Sequence, residues 1–238
     1  MFESLLNRFQ LKFKDRTWAA NVLAESLKEI IKKENRNKNE LVVLGIPRGG
    51  VIIASVIATK LDASLDIIIP RKLRAPHNEE VAIGSIMEEG IAYLSSDLVK
   101  TLDISSEYIE KEKAEQIEEI RRRTALYRQQ QQQQQQANLQ SKSSSQSTVI
   151  IADDGAATGA TIIIAVRWIR KNHNPKKLII AVPVVPKQVV KLLMNEADHV
   201  ETITTPSTSS FKSVSQYYQD FTEIRDQQVI DILSRNKE

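Results

Sequence analysis

Two acids and a turn rich in glycine and threonine stand directly after an apolar run. Val149–Ala152 is wholly apolar, Asp153 and Asp154 follow it, and Gly155–Thr161 contains two glycines and two threonines. A glycine-rich turn that opens a helix presents free backbone amides to a phosphate, and hydroxyl groups add further donors. Adjacent carboxylates accept hydrogen bonds from the paired hydroxyls of a ribose. The pattern therefore predicts a site for a phosphorylated ribose such as ribose 5-phosphate.

Other interpretations of this turn need residues that it lacks. The phosphate-binding loop of nucleoside triphosphatases has Lys directly before its Ser or Thr, whereas here Ala160 precedes Thr161. No G-x-G-x-x-G motif follows a predicted strand, which disfavours a dinucleotide-binding dehydrogenase. A phospho-accepting receiver domain needs a third acid at the end of a later strand, whereas Asp198 precedes its strand. A polar turn without any ligand stays open as an alternative.

The apolar residues recur in runs that predict alternating strands and helices. β-Branched runs predict strands at Leu41–Ile46, Leu65–Ile69, Thr148–Ala152, Leu178–Val185 and Val200–Thr204. Helix-length apolar patterns predict helices at Trp18–Ile31, Val51–Leu61, Ala160–Arg170 and Gln188–Met194. The strands are continuously apolar, which is typical of a parallel sheet covered on both faces. We therefore expect an α/β fold with a doubly wound, mostly parallel sheet and helices on both faces.

One segment between these elements is long, polar and charged. Ser105–Gln136 contains Glu–Lys and Glu–Arg pairs four residues apart, which favours a long exposed helix. Its last eight residues are all glutamine, and they run into a Ser-, Gln- and Lys-rich stretch with too little apolar area to order itself. We predict a low-complexity insert over residues 129–147 in a domain covering residues 41–238, with residues 1–40 forming an N-terminal helical segment packed on the core.

The composition excludes several classes of protein. The chain has no cysteine, which excludes a disulfide scaffold, a thiolate metal site and a cysteine nucleophile. The net charge is +3, and the lysines and arginines are interspersed with acids, so nucleic acid is not an expected partner. No apolar run approaches the roughly 18 residues of a membrane span, and Met1–Ser4 does not begin an export signal. We expect a cytoplasmic protein that does not bind membranes.

Three segments together resemble one enzyme family. Asp153–Thr161 resembles the phosphoribosyl pyrophosphate (PRPP) signature of the type I phosphoribosyltransferases. Pro47–Gly50 resembles the pyrophosphate loop of that family, and Arg71-Lys72 resembles its second pyrophosphate-contacting loop. A closer similarity, to stand-alone members of unassigned acceptor, is carried by Arg71-Lys72-Leu73, Ala75-Pro76, Glu80–Gly84 and Tyr218–Phe221.

The resemblance implies a role for each matching residue. It implies a catalytic group of Arg71, Lys72 and Asp154. It implies a PRPP-binding set of Arg48, Gly49, Gly50, Asp153, Asp154, Gly155, Ala156, Ala157, Thr158, Gly159, Ala160 and Thr161. It also implies Mg²⁺ as a cofactor that PRPP itself mainly holds, and a fold with a small hood or lid. The two aspartates would bind the ribose hydroxyls, and the cations would meet the pyrophosphate.

Two further regions bear on the reaction. A reactive sugar centre must be shielded from water, and Arg74–Gly90 is the expected cover, either as a flexible loop or as a short hairpin. The aromatic residues Phe211 and Tyr217 are candidates for stacking on a planar acceptor, with core packing as the alternative for Phe211. Members that act on 6-oxopurines place an acid just before the signature threonine, where this chain has Ala157. This departure disfavours hypoxanthine and guanine and leaves adenine, pyrimidines and other amines open.

The sequence thus predicts a pentosyltransferase of nucleotide metabolism. It would transfer the 5-phosphoribosyl group from PRPP to a nitrogen nucleophile and release pyrophosphate. The alternative is a regulatory protein that senses PRPP or a nucleotide without turnover and that binds RNA. The predicted partners are PRPP and a small-molecule acceptor, with a homodimer as the predicted assembly. We expect Asp154→Asn to weaken PRPP binding and to leave thermal stability nearly unchanged.

Overall fold

The computed structural model describes residues 12–32, 40–128 and 147–235, which form alternating strands and helices. In chain order the elements are α1 (Arg16–Lys32), β1 (Leu41–Gly45), α2 (Gly49–Leu61), β2 (Ser64–Ile67), β3 (Arg71–Ala75), β4 (Asn78–Ile86), β5 (Ala92–Leu94), α3 (Ser96–Thr101), α4 (Ser106–Arg128), β6 (Thr148–Ala152), α5 (Ala160–Asn172), β7 (Lys177–Ala181), α6 (Lys187–Met194), β8 (His199–Glu201), a 3₁₀ turn (Val214–Tyr217) and α7 (Asp226–Arg235). The elements that the apolar pattern predicts are all present, with ends that differ by a few residues.

Five of the strands form one parallel sheet in the order β2-β1-β6-β7-β8. The chain runs outward from β1 to β2 on one side and from β6 through β7 to β8 on the other. The order therefore reverses between β1 and β6, and ligands of open α/β sheets bind at the carboxyl ends of strands at such a point. The register aligns Gly45 with Ala152, so the loops after β1 and β6 leave the sheet side by side.

The sheet is buried on both faces. Along β6, Val149 and Ile151 lie in one apolar cluster with α5, whereas Ile150 and Ala152 lie in a second cluster with α1 and α2. Because successive side chains of a strand point to opposite faces, this division places helices on both sides of the sheet. The predicted doubly wound, mostly parallel fold is confirmed.

Two strands are shorter than predicted, and proline limits one of them. The strand predicted over Leu178–Val185 ends at Ala181, and Pro183 lacks the amide that a ladder requires. The strand predicted over Val200–Thr204 is β8, and beyond it a single parallel bridge joins Val184 to Thr204. Val184 stays fully buried, so the apolar run marks burial more closely than it marks strand length.

A second, antiparallel sheet of β3, β4 and β5 packs against α4. The prediction that this long helix is exposed is wrong for one of its faces, since Ile109, Ile120 and Tyr127 are buried. The predicted continuation beyond Arg128 and the glutamine tract lie outside the described residues. Of the predicted insert only Ser147 is described, and it is fully buried at the entry to β6.

Other predictions about the whole chain stay predictions. Helix α1 does pack on the core, where Leu23 and Leu27 share a cluster with Ile53 and Ile57 of α2. Three predictions remain predictions: the boundaries of the domain, the homodimer and the cytoplasmic location. No helix in the described ranges is both long enough and apolar enough to cross a membrane.

Candidate active site

The loops after β1 and β6 touch each other through glycines. A Cβ atom on Gly50 would lie 2.6 Å from the Ala152 carbonyl oxygen, and one on Gly49 would lie 1.9 Å from Oδ2 of Asp154. Both separations are shorter than any side chain tolerates. The structure therefore brings the predicted Gly49-Gly50 pair directly against the predicted aspartates, as the alignment of the two strand ends requires.

The turn before α5 is built to meet an anion. Gly159 has φ 75° and precedes the first helical residue, Ala160. The helical hydrogen bonds begin with the Ile163 amide, which is bonded to the Gly159 carbonyl oxygen at 2.8 Å. The amides of Thr161 and Ile162 precede it and therefore have no acceptor within the helix. The first turn carries no acid, and the Thr158 side chain is exposed. Free amides at the positive end of a 13-residue helix attract a phosphate group.

The two aspartates lie beside this turn in a largely buried position. Oδ1 of Asp153 accepts the amide of Asp154 at 2.8 Å. Burial raises the pKa of Asp153 well above its usual value, and the neighbouring Asp154 carboxylate raises it further. The ammonium group of Lys72 and the guanidinium of Arg16 act in the opposite direction on the pKa of Asp153, but do not outweigh burial. A buried carboxylate of this kind gains most from a ligand that donates hydrogen bonds to it.

Asp154 is held by a residue that the sequence pattern did not single out. Nε of Arg16 donates to Oδ2 of Asp154 at 2.7 Å, and the two side chains are only 9% and 16% exposed. Burial raises the pKa of Asp154, and the charge and hydrogen bond of Arg16 lower it. The signal in the sequence is the spacing of α1, because Arg16, Ala19, Ala20, Leu23 and Leu27 fall on one buried face of the helix. An arginine on an apolar helix face needs a buried partner.

This pair overturns the reasoning behind one expectation. The prediction that Asp154→Asn spares thermal stability assumes that an acid in a binding site has no structural partner. Removing the charge would leave the buried guanidinium of Arg16 without the carboxylate bonded to it, and breaking a buried ion pair typically costs about 3–5 kcal/mol. Asn can still accept a hydrogen bond from Arg16, so we expect a loss toward the lower end, together with the loss in binding.

The three predicted cations are placed differently from one another. Nη2 of Arg48 is bonded to Oε1 of Glu223 at 2.6 Å, and both side chains are partly exposed. Lys72 is exposed and its charge acts on Asp153. Arg71 lies on the opposite face of β3, where its Nε donates to Oε1 of Gln116 at 3.0 Å. Burial and the Arg123 guanidinium lower the pKa of Arg71. Lys72 and Arg71 therefore face different surroundings, whereas the sequence treats them as one pair.

The predicted cover is a hairpin rather than a flexible loop. Residues 71–86 form β3 and β4, and the turn between them includes His77, which is exposed with φ 63°. The hairpin is fixed to α4, since Oε1 of Glu112 accepts the amide of Arg74 at 2.9 Å and the Tyr108 hydroxyl donates to the Arg74 carbonyl oxygen at 3.1 Å. Of the two alternatives, the structure favours the hairpin.

The two candidate acceptor residues lie next to each other. The rings of Phe211 and Tyr217 are stacked, with centroids 5.7 Å apart and an angle of 19° between their planes. Both are partly buried against the cluster of α1 and α2. Between them in the chain, Val214 covers the turn so closely that a Cβ on Gly155 would lie 2.2 Å from its Cγ1. The aromatic pair is thus linked to the anion turn, while its role with an acceptor stays a prediction.

This geometry agrees with a comparison against known protein families. Residues 19–222 match the model of a family described as "Phosphoribosyl transferase domain". The chain belongs to this family. The match covers β1 through β8 together with most of α1 and the tail that carries Tyr218.

Two kinds of relatives support the assignment. Two Mycobacterium tuberculosis proteins named "Putative phosphoribosyl transferase" are 33% identical over 223 residues, or 94% of this chain. The chain spans about half the length of these curated relatives, 46% of each. The crystal structure of TT1426 from Thermus thermophilus is similar with a TM-score of 0.71 and 32% identity, over 94% of this chain and 99% of that one.

The donor set at the site fits a magnesium ion that arrives bound to phosphates. Within residues 12–32, 40–128 and 147–235 there is no group of three or more His, Cys, Asp or Glu side chains that could hold a metal ion. Mg²⁺ in phosphate sites keeps several waters and uses one or two carboxylates together with the phosphate oxygens of the ligand. Asp153 and Asp154 are the carboxylates expected to accept from the ribose hydroxyls, so the described residues fit a Mg²⁺ that PRPP and water mainly hold.

Proposed function

We propose that this member of the phosphoribosyl transferase domain family transfers the 5-phosphoribosyl group from PRPP to a nitrogen nucleophile and releases pyrophosphate. The observation that carries the proposal is the juxtaposition of a helix-opening anion turn with two buried aspartates at the point where the strand order reverses. A phosphate monoester suits the turn, and a pair of hydroxyls suits the carboxylates. Membership in the family and the names of the two Mycobacterium tuberculosis relatives support the same assignment.

In the proposed complex the 5-phosphate accepts hydrogen bonds from amides of the turn and from the hydroxyls of Thr158 and Thr161. The ribose hydroxyls donate to Asp153 and Asp154. Oδ2 of Asp154 already accepts from Arg16, which leaves Oδ1 for the sugar. Oδ1 of Asp153 accepts the amide of Asp154, which leaves its Oδ2. Each carboxylate thus keeps one oxygen for one hydroxyl.

The proposed reaction is a substitution at C1 of the ribose. The bond between C1 and the pyrophosphate oxygen breaks, and its electron pair goes to the pyrophosphate. The lone pair of the acceptor nitrogen forms the new bond to C1, and the nitrogen releases a proton. The proposed role of Lys72 and Arg48 is to offset the charge that develops on the leaving group, which lowers the barrier more than it favours the bound substrate. Mg²⁺ bound to the pyrophosphate supplies further positive charge.

The acceptor is proposed to be a planar amine other than a 6-oxopurine. Ala157 provides no acid at the position where members that act on those purines have one, and its side chain is exposed in the turn. Phe211 and Tyr217 offer aromatic surface on the segment whose Val214 covers Gly155 of this turn. Adenine and pyrimidines are therefore the first compounds to test.

The direct test is pyrophosphate release. The protein is incubated with PRPP, Mg²⁺ and a panel of nucleobases and other amines, and we expect release with at least one of them. A folded protein that binds PRPP but releases nothing with any compound would support the alternative of a sensing protein. A folded protein that binds neither PRPP nor ribose 5-phosphate would contradict both.

Thr158→Ala gives a specific version of this test. The side chain of Thr158 is exposed and its hydroxyl accepts a long bond, 3.4 Å, from the Ala160 amide, so stability should change little. A hydrogen bond to a charged phosphate is worth about 1.5–3 kcal/mol. We therefore expect ribose 5-phosphate to bind about tenfold more weakly or worse, measured by calorimetry. Thr208 is exposed in the loop after β8, and Thr208→Ala serves as the matched control that should bind normally. Unchanged affinity in Thr158→Ala would remove the turn from the proposed site.

A further inference from the structure

The contacts of Arg16 go beyond those of an ordinary buried arginine. Besides its bond to Asp154, Nη1 donates to the Thr222 carbonyl oxygen at 2.9 Å, and the guanidinium carbon lies 3.8 Å from the centre of the Phe221 ring. Three different contacts fix the plane of the guanidinium, which a flexible lysine ammonium would not reproduce. The position of Nε, and hence of the aspartate oxygen that it binds, is fixed with it.

Asp154 is restrained from its other sides as well. The carbonyl oxygen of Asp154 accepts the Tyr218 hydroxyl at 2.6 Å. Gly49 approaches Oδ2 so closely that no Cβ atom would fit between them. Oδ2 is therefore enclosed between Arg16 and Gly49, and Oδ1 is the oxygen that remains for a ligand.

We propose that Arg16 is a positioning residue that fixes the orientation of the Asp154 carboxylate and so determines which of its two oxygens faces the sugar hydroxyl. The inference rests on the proposed function, because it assumes that Asp154 accepts a ribose hydroxyl. It adds a residue from α1, 138 positions away in the chain, to the groups that prepare the site. Arg16 does not contact the substrate and acts through Asp154.

The charges around Asp154 explain how Arg16 would act. Asp153 lies beside it on the same loop, Tyr218 faces it from the tail, and Lys72 of β3 faces Asp153. Farther out, Asp15 and Asp220 lie near Tyr218 and Arg16 respectively. Burial raises the pKa of Asp154, and Arg16 is the cation that opposes this. Without Arg16 the pKa of Asp154 rises further, and Asp154 loses its negative charge at a higher pH.

The test compares two variants of Arg16 with a matched control. Affinity for ribose 5-phosphate is measured by calorimetry from pH 5.5 to 8.5 for wild type, Arg16→Gln, Arg16→Lys and Arg170→Gln. Arg170 is also bonded to an aspartate and to a carbonyl oxygen, those of Asp198 and Pro175, but lies at the far end of α5. The second ionisation of the sugar phosphate, near pH 6, is common to all four proteins.

We expect Arg16→Gln to bind about tenfold to a hundredfold more weakly at pH 7. We also expect the pH below which affinity is lost to rise. Arg16→Lys should lose affinity at the same pH as wild type, because it keeps the charge. It should recover only part of the affinity, because it loses the fixed geometry. Arg170→Gln should match wild type in both respects.

A double-mutant cycle separates positioning from structural support. In an Asp154→Asn background, replacing Arg16 should change affinity little, since there is no carboxylate left to orient. Equal losses in both backgrounds, or an unshifted pH profile in folded Arg16→Gln, would overturn the inference. If Arg16→Gln does not fold, the same cycle with Arg16→Lys decides. A wild-type protein that binds no ribose 5-phosphate would contradict the proposed function, and this inference with it. Normal binding by wild type together with an unaltered affinity and pH profile in Arg16→Gln would contradict the role of Arg16 alone.

Discussion

Within the part of the chain that the structure describes, Asp153 is a largely buried carboxylate to which no cation is bonded. Its hydrogen-bond donor is the amide of Asp154, and burial dominates the rise in its pKa. A folded-state pKa above the unfolded value of 3.8 means that the ionised group opposes folding. The stability that the neutral Asp153 carboxyl contributes is complete below the unfolded pKa, and it is lost as pH rises through the folded pKa. The residue thus lowers stability at neutral pH, as expected of a group kept for binding.

Asp153→Asn should therefore raise the melting temperature at pH 7 to 8. The neutral amide avoids the burial of a charge, and each kcal/mol gained corresponds to about 2–4 °C in a chain of this size. The gain over wild type should shrink as pH falls toward 4, because the wild-type carboxyl becomes neutral as well. Thermal unfolding of both proteins from pH 4 to 8 measures the difference.

The matched control for Asp153→Asn is Asp103→Asn. Asp103 is exposed with φ 48°, a backbone conformation that asparagine adopts readily, so its replacement should leave the melting temperature unchanged at every pH. A destabilised Asp153→Asn at pH 8, with Asp103→Asn normal, would show that the ionised Asp153 stabilises the fold.

At the scale of elements, the start of α2 shows how closely two loops must fit. Gly49 is the first residue of α2, where alanine would ordinarily favour the helix by about 1 kcal/mol. Its Cβ would however lie 1.9 Å from Oδ2 of Asp154 and 2.9 Å from Nε of Arg16. The helix gains nothing unless the aspartate moves away.

Gly49→Ala should accordingly reduce affinity for ribose 5-phosphate by tenfold or more, because it displaces the Asp154 oxygen from Arg16. Gly90→Ala provides the contrast, since a Cβ there meets no atom within 4 Å while φ is +78°. That variant should lose about 1–2 kcal/mol of stability through backbone strain and bind normally. Normal binding by Gly49→Ala would show that the contact between the two loops is dispensable.

The elements differ in how well the sequence predicts them. Apolar strands such as β1 and β6 are predicted because burial on both faces requires continuous apolar residues. β3 contains Arg71, Lys72 and Arg74, and no apolar pattern indicates a strand there. β3 pairs with β4, and its Arg74 amide is bonded to Glu112 of α4, a buried acid in a helix whose sequence looks exposed. Hydrophobic periodicity does not detect such polar contacts between elements.

The sequence likewise predicts one part of the candidate site and not the other. The turn from Asp153 to Thr161 is contiguous in the chain, so its residue types predict its chemistry directly. Arg16 and the Thr222 carbonyl oxygen that it binds are 206 positions apart and meet only in the folded molecule. Local patterns carry no information about such pairs, although the place of Arg16 on an apolar helix face does indicate a buried partner.

For the molecule as a whole, the segment before α1 and the C-terminal tail meet over the site. Phe13 and Tyr218 form a parallel bridge, with the Phe13 amide bonded to the Tyr217 carbonyl oxygen at 2.8 Å. The Gln219 amide returns to the Phe13 carbonyl oxygen at 2.8 Å. The tail also supplies the Tyr218 hydroxyl that holds Asp154. A ligand that fixes Asp154 should therefore stabilise segments that it does not contact.

Hydrogen exchange tests this coupling. Ribose 5-phosphate at about 100 times its Kd stabilises the folded state by about 2.7 kcal/mol, and regions coupled to the site slow their exchange most. We expect slower exchange in residues 153–161 and, at the same ligand concentration, in residues 218–222. Tyr218→Phe removes the bond to Asp154 and should abolish the effect in residues 218–222 while the turn stays protected. Protection confined to residues 153–161 in wild type would mean that the tail packs beside the site without responding to the ligand.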